Sequence, residues 1–287
     1  MSMRYLRFFI FPAFLLVAAA FIYAACDGDD GVPAFICSPP ETGTAVEGVP
    51  ELGDGVLQVG SDIAYPPLEF IIEGTETADG VDVDIARCLA EELGVSVEFL
   101  NTGFDGIEAA LNTEEFDIVM SAMTITPERS AQIDFVPYLS VGVGILVEAG
   151  NPDGIQEVED LCGLTVAVQL GTIQQDQLED LNAGACADSN VNIVTFDTNP
   201  LAVEDLRTGG SDANFSDLPV AFLDAQQSGG ELELVEPAPN PQPYGIGLRK
   251  ASDALQASLE EAFQAIRDGG QYDDILARWE LEFTALP

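Results

Sequence analysis

The residues with the clearest chemical content lie in the stretch Ser121-Ala122-Met123-Thr124-Ile125-Thr126-Pro127-Glu128-Arg129. Thr126 followed by Pro127 reads as an N-cap and a first helical residue, which sets Arg129 in the first turn of a helix. A cation there opposes the helix dipole at a cost of about 0.3–1 kcal/mol, and Arg129 is the only basic residue between Arg87 and Arg207. An anion should therefore offset it. Two partners fit: a neighbouring carboxylate in a surface ion pair, or the carboxylate of a ligand gripped by the guanidinium fork, with the Thr124 hydroxyl and nearby N–H groups completing the site.

Three other places combine polar chemistry with a strand end. Leu170-Gly171-Thr172-Ile173-Gln174-Gln175 links a strand to a helix, and Thr172 with Gln175 has capping-box spacing. Gly171 would also let a ligand approach the backbone. Asp217 follows the strand predicted over Ala213–Ser216, and in open α/β sheets ligands bind beyond the carboxyl ends of strands. It pairs naturally with an ammonium group if Arg129 holds a carboxylate, although the polar neighbours Asn214 and Ser216 also fit plain solvent exposure. Asp62 and Tyr65 follow the first strand and could contact a ligand side chain, with Phe104 as an apolar wall; the alternatives are a turn aspartate, a packing tyrosine and a core phenylalanine.

Short β runs alternating with amphipathic segments position these groups. The pattern predicts strands over Val56–Gly60, Val95–Leu100 and Asp117–Met120, and helices over Val83–Leu93 and Phe104–Leu111. A second series has strands over Leu164–Gln169, Asn192–Phe196 and Ala213–Ser216, with helices over Ile173–Leu181 and Pro200–Thr208. Leu111, Thr113, Asp117 and Ser121 recur as Leu206, Thr208, Asp212 and Ser216, each 95 positions later, so two lobes of similar build are expected. A strand over Tyr244–Leu248 and a helix over Ala251–Asp268 close the chain, the helix carrying Leu255, Leu259, Ala262, Phe263 and Ile266 at helical spacing.

Arg4 and Arg7, followed by an apolar run from Phe8 to Ala25, read as a secretory leader over residues 1–25. Ile22-Tyr23-Ala24-Ala25-Cys26 resembles a bacterial lipoprotein cleavage box, Tyr23 departing from its usual small aliphatic residue, so Cys26 is the expected lipidation site, with cleavage without lipid and an uncleaved anchor of about 18 apolar residues as the alternatives; residues 26–54, rich in Asp, Gly, Pro and Glu, are expected to form a flexible stalk with order beginning near Val56. The 287 residues include 50 acidic and nine basic ones. Two of the nine precede Cys26 and every acidic residue follows it, which leaves the body at −43. That charge excludes nucleic acid and anionic lipid surfaces as partners and suits a medium of high salt, where the Debye length shrinks to roughly 3–8 Å. With no histidine and no clustered cysteines, zinc and Ser-His-Asp chemistry have no candidates and no metal is expected. Cys162 and Cys186 flank a strand-helix unit and are expected to form a disulfide. Cys88 lies on the apolar face of its helix and reads as a buried thiol; Cys37 has no assignment.

From Leu57 to Trp279 the sequence resembles the polar amino-acid branch of the bacterial ABC-transporter solute-binding proteins. The resemblance rests on Asp62-x-x-Tyr65-Pro66-Pro67, Gly80-Val81-Asp82-Val83-Asp84-Ile85-Ala86, Thr124-Ile125-Thr126-Pro127-Glu128-Arg129, Gly171-Thr172, Asp212 with Asp217, and Gly269-Gly270-Gln271-Tyr272 followed by Trp279. It implies an α/β, two-lobed periplasmic-binding-protein-like fold with two crossover hinge strands, lobe 1 comprising 55–142 and 243–287 and lobe 2 comprising 147–238. It also implies that Arg129 and Thr124, with the backbone at Thr172, bind the α-carboxylate of the ligand, Asp217 its α-ammonium, and Asp62 and Tyr65 line the side-chain pocket; Ser121, Ala122, Gly171 and Phe104 complete the expected ligand-binding set. Ala122 and Ile173 stand where relatives often carry hydroxyls. The implied protein is a monomer without cofactor, lipid-anchored outside the cytoplasmic membrane, that delivers a free amino acid to an ABC permease. Two other functions use the same pocket: a cyclohexadienyl dehydratase with Asp62 or Glu69 as general acid, and a ligand-sensing partner of a receptor.

Overall fold

The computed structural model describes residues 37, 46, 48–237 and 240–287. The leader, Cys26 and most of the expected stalk lie outside the described residues. Structure begins earlier than Val56, with a 3-10 turn over Pro50–Leu52. Val49 and Leu52 are buried in the first hydrophobic core, so these two apolar side chains fasten the segment ahead of Val56 to the body.

The first half runs β1 (Val56–Ser61), β2 (Ala64–Tyr65), β3 (Glu69–Ile71), β4 (Ala78–Asp79), α1 (Val81–Leu93), β5 (Ser96–Asn101), α2 (Ile107–Asn112), β6 (Ile118–Val119), α3 (Pro127–Ser130) and β7 (Ile133–Val141). The helix expected from Phe104 opens instead as a 3-10 turn over Phe104–Gly106, and α2 starts at Ile107. Entry into α1 requires Gly80. Its φ is +132°, and a Cβ there would stand 2.1 Å from the Leu68 carbonyl oxygen, so only glycine lets β3 pass this close.

The chain crosses through Gly142 into β8 (Val143–Glu148), then forms β9 (Thr165–Gln169), α4 (Ile173–Ala183), β10 (Asn192–Phe196), α5 (Asn199–Arg207), β11 (Ala213–Asp217), α6 (Leu218–Gln227) and β12 (Leu232–Val235). It returns in β13 (Gln242–Arg249) and ends with α7 (Asp253–Asp268) and α8 (Gln271–Arg278). Ala251, at φ +67°, breaks the backbone ahead of α7, which is why that helix starts two residues later than its apolar pattern implies. The second sheet takes up the chain at Val143, ahead of the expected residue 147, because β8 pairs with Asp217 from its first residue.

Each lobe holds one five-stranded sheet, in the orders β5-β1-β6-β13-β7 and β10-β9-β11-β8-β12. In both, three parallel strands are followed by the strand that arrives from the other lobe, antiparallel to them, with the departing strand at the edge. The two crossings are therefore equivalent. The internal repeat has a physical role in both lobes: Asp117 accepts the Gln58 N–H at 2.9 Å while Asp212 accepts the Thr165 N–H at 2.8 Å. Thr113 and Thr208 likewise donate to carbonyls in the last turns of α2 and α5.

The larger core lies in lobe 1, where α1, α7 and α8 cover the sheet. Leu255, Leu259, Ala262, Phe263 and Ile266 are all buried there. Trp279 donates from Nε1 to Asp84 at 2.9 Å and Arg278 pairs with the same carboxylate at 3.1 Å, which ties α8 to α1.

Cys162 and Cys186 are bonded as the sequence suggests. A second disulfide joins Cys37 to Cys88, which corrects the reading of Cys88 as a free thiol. The side chain is buried, as its helical face implied, but its neighbour is a cysteine 51 residues earlier. Closing loops of these lengths constrains the unfolded chain by about 4 kcal/mol for Cys37–Cys88 and about 3 kcal/mol for Cys162–Cys186 in the loop-entropy model. Non-reducing peptide mapping is expected to recover both pairs, and replacing Cys37 and Cys88 together by serine should lower unfolding stability by about 2–4 kcal/mol. A double variant as stable as wild type would show that the bond does not constrain the chain.

Candidate functional site

Strand ends and helix starts from the two lobes meet across a narrow cleft lined by Asp62, Tyr65, Glu69, Phe104, Ser121, Ala122, Thr124, Arg129, Gln169, Thr172, Ile173, Gln174 and Asp217.

Arg129 comes from α3, which is capped by the Thr126 hydroxyl accepting the Arg129 N–H. The guanidinium is 9% exposed. Its Nε pairs with Glu108 at 3.2 Å, one terminal nitrogen donates to the Thr124 carbonyl at 2.9 Å, and the other donates across the cleft to the Gly171 carbonyl at 3.0 Å. Phe104 lies 5.3 Å below it, ring centroid to guanidinium carbon, in cation–π contact. Three of the five N–H donors of an arginine are thus engaged, leaving one on each terminal nitrogen. Burial lowers the Arg129 pKa, and Glu108, Asp176 and Asp217 oppose that shift. The offsetting anion is thus Glu108, on α2, half-buried beside the cleft.

Asp217 ends β11 and occupies the N-cap position of α6 without capping it; its carboxylate turns into the cleft. Asn214 and Ser216 are both buried, which removes the solvent-exposed alternative. Tyr65 donates to Asp217 Oδ2 at 2.8 Å and Gln174 donates to Oδ1 at 2.8 Å. Burial pushes the Asp217 carboxyl up to about 6, against the hydroxyls of Tyr244 and Tyr65, the Gln174 amide and the charge of Arg129. Tyr65 thus bonds the carboxylate of the opposite lobe through its hydroxyl.

Asp62 accepts a hydrogen bond from Gln169 Nε2 at 2.6 Å, and burial raises its pKa against that bond. Ser121 and Ala122 reach the wall, but they spend their polar groups on the protein. The Ser121 hydroxyl donates to Glu69 at 2.8 Å and accepts the Asp62 N–H at 3.0 Å, while the Ala122 N–H donates to Asp82 at 2.9 Å. Thr172 caps α4 through Gln175 N–H at 3.4 Å and donates to the Gln169 carbonyl at 2.8 Å. The Gln175 side chain accepts from Gly171 N–H at 3.0 Å, so that N–H is committed and Gly171 meets the site through its carbonyl.

Gln169 and Gln174 were not singled out by the sequence reading, and Glu69 entered it only as a candidate acid. The strand-end rule that found Asp217 also applies to Gln169, the last residue of β9. Gln174 lies in the first turn of α4, where nothing in its type marks it.

Two lobes with a cleft between them, lined by an arginine and an aspartate among other polar residues, are the architecture of a solute-binding protein. The family model for bacterial extracellular solute-binding proteins, family 3, matches residues 57–282, and the chain belongs to that family. It is 31% identical over 227 residues to the L-cystine-binding protein TcyJ of Escherichia coli, covering 78% of this chain and 82% of that protein. It is 30% identical over 278 residues to the arginine-binding protein ArgT of Corynebacterium glutamicum, covering 93% and 90%. Among solved structures, an ancestral arginine-binding protein bound to arginine superposes with a TM-score of 0.74 at 35% identity, covering 78% of this chain and 98% of that one. Extracellular solute-binding proteins of this kind work outside the cytoplasm, and among the described residues no helix is long and apolar enough to cross a membrane.

Gly171 sets how closely the lobes approach. It has φ +79°, and a Cβ there would lie 2.9 Å from Asp105 Cα across the cleft. Gly171→Ala is expected to hold the lobes apart and weaken ligand binding at least about tenfold, the left-handed backbone adding about 1–2 kcal/mol of strain. Small-angle X-ray scattering of the liganded variant should give a larger radius of gyration than liganded wild type; equal radii and equal affinities would refute the contact.

Proposed function

We propose that this chain is the extracytoplasmic amino-acid-binding component of an ABC importer, closing its lobes on one free polar amino acid and passing it to the permease without chemical change. The observation that carries the reading is the placing, in one closed cleft, of a guanidinium with two uncommitted donors opposite a buried carboxylate on the other lobe. Arg129, with Thr124 and the main chain at Thr172, receives the α-carboxylate. Asp217 receives the α-ammonium, displacing part of its hydrogen bonding to Tyr65 and Gln174. Asp62, with Gln169 against it, and Phe104 face the side chain, so the wall there suits a polar group. The E. coli and C. glutamicum relatives named for cystine and arginine support an amino acid as the ligand class. Tethering through a lipidated Cys26 belongs to the same proposal, and mass spectrometry of the membrane-extracted chain reads it directly.

A thermal-shift screen of the free amino acids identifies the ligand, since one present at about 100 times its Kd adds about 2.7 kcal/mol of stability. Calorimetric titration of Arg129→Ala and Asp217→Ala should then show affinity weakened by about 30-fold to several thousand-fold, the cost of leaving one member of a charge pair alone being about 2–5 kcal/mol. Wild type should discriminate against the des-amino analogue to a similar degree. Because ammonium binding needs Asp217 ionised and its pKa stands near 6, affinity should fall by up to about tenfold per pH unit below that value. If Asp217→Ala binds as tightly as wild type, the proposal fails.

A further inference from the structure

Glu69 of β3 at the cleft wall and Asp82 of α1 behind it are both almost completely buried, and the two side chains lie within hydrogen-bonding reach of each other. Each has one oxygen supplied with donors. Glu69 Oε1 accepts from the Ser121 hydroxyl, and Asp82 Oδ2 accepts from the Ala122 N–H and the Tyr138 hydroxyl. The other two oxygens, Glu69 Oε2 and Asp82 Oδ1, are buried and receive no hydrogen bond from the described protein. Two adjacent carboxylates without a cation between them cannot both stay ionised in a buried site. The charged and titratable groups facing the pair are Asp62, Asp217, Tyr65 and Tyr138; Arg129, the cation among the residues lining the cleft, acts on Asp217. Asp79 of the neighbouring β4 is paired with Arg87 and Arg278 on its own side.

We propose that Glu69 and Asp82 share one proton between Glu69 Oε2 and Asp82 Oδ1, and that this acid pair is a positioning device for the ligand cleft. The pair carries a single negative charge. Through Ser121 it holds the main chain of Asp62, and through the Ala122 N–H it holds a residue at φ +46°, a conformation that costs a non-glycine residue about 1–2 kcal/mol. Both walls meeting at the ligand's position are thereby fixed by one shared proton. Burial drives both carboxyl groups upward, Asp82 to about 7 and Glu69 well above its ordinary value.

The linkage has a definite sign. Carboxyl groups whose folded pKa is raised keep their stabilising proton at low pH and lose that contribution as pH rises through the folded value. Between about pH 6 and 8, above the range in which Asp217 and Asp224 titrate, the unfolding constant of the wild-type protein should rise by about tenfold and level off above the folded value of about 7. Glu69→Gln, which keeps the charge of the pair and offers an amide donor to Asp82, should remove that rise. Infrared difference spectra of wild type across the same range should show a protonated-carboxyl band disappearing, a band that Glu69→Gln lacks. A wild-type protein with no such band, or a Glu69→Gln profile with the same slope as wild type, overturns the shared proton. Should Glu69→Gln not fold, the wild-type infrared titration decides alone. Neither measurement uses a ligand, so failure here leaves the amino-acid reading standing.

Discussion

A guanidinium that is nine-tenths buried must be surrounded by acceptors, because an unpaired charge in that position costs about 3–5 kcal/mol. Arg129 meets this constraint with groups from both lobes: Glu108 and the Thr124 carbonyl on its own side, the Gly171 carbonyl on the other, and the Phe104 ring beneath. The closed arrangement of the lobes follows from that need. Gly171 must bring its carbonyl close, Asp105 must pass next to it, and α3 must be capped so that the side chain leaves in one direction.

The rest of the cleft solves the opposite problem, several carboxylates with few cations. The chain does not spend basic residues on them. Gln169 serves Asp62, Gln174 and Tyr65 serve Asp217, and Ser121 serves Glu69. Neutral donors satisfy buried oxygens without neutralising them, so the cleft keeps its negative potential. Ion pairing is kept for structural joints such as Asp79 and Asp84 with Arg87 and Arg278, which hold α1 against α8.

Much of this was legible in the sequence where a local rule acts. Thr126-Pro127 placed Arg129 because capping is local, and the apolar spacing of α7 named its buried face. The repeat of Asp117 at Asp212 marked two equivalent strand-locking carboxylates. What stayed illegible depends on contacts between distant segments. Cys88 showed its burial through its helix neighbours, but its bond to Cys37 lies in a stretch with no periodicity to place it. Tyr65 showed an aromatic near a strand end; that its hydroxyl crosses to Asp217 follows only from the meeting of the lobes. Glutamines at 169 and 174 are of a type common on helix surfaces, and only the closed cleft makes them donors to buried carboxylates.

The strand order also dictates when each lobe can be completed as the chain emerges. Lobe 2 is one contiguous segment, β8 to β12, with its own core and disulfide. Lobe 1 is not: β13 lies between β6 and β7, yet it follows β7 by about a hundred residues. Until that strand arrives the first sheet has an open slot, with unpaired backbone on β6 and β7 that neighbouring chains could fill. The described disulfides join cysteines that are consecutive among the four, Cys37 with Cys88 and then Cys162 with Cys186. Each bond therefore closes within a single lobe, and the last strand to appear is the one that seals the molecule.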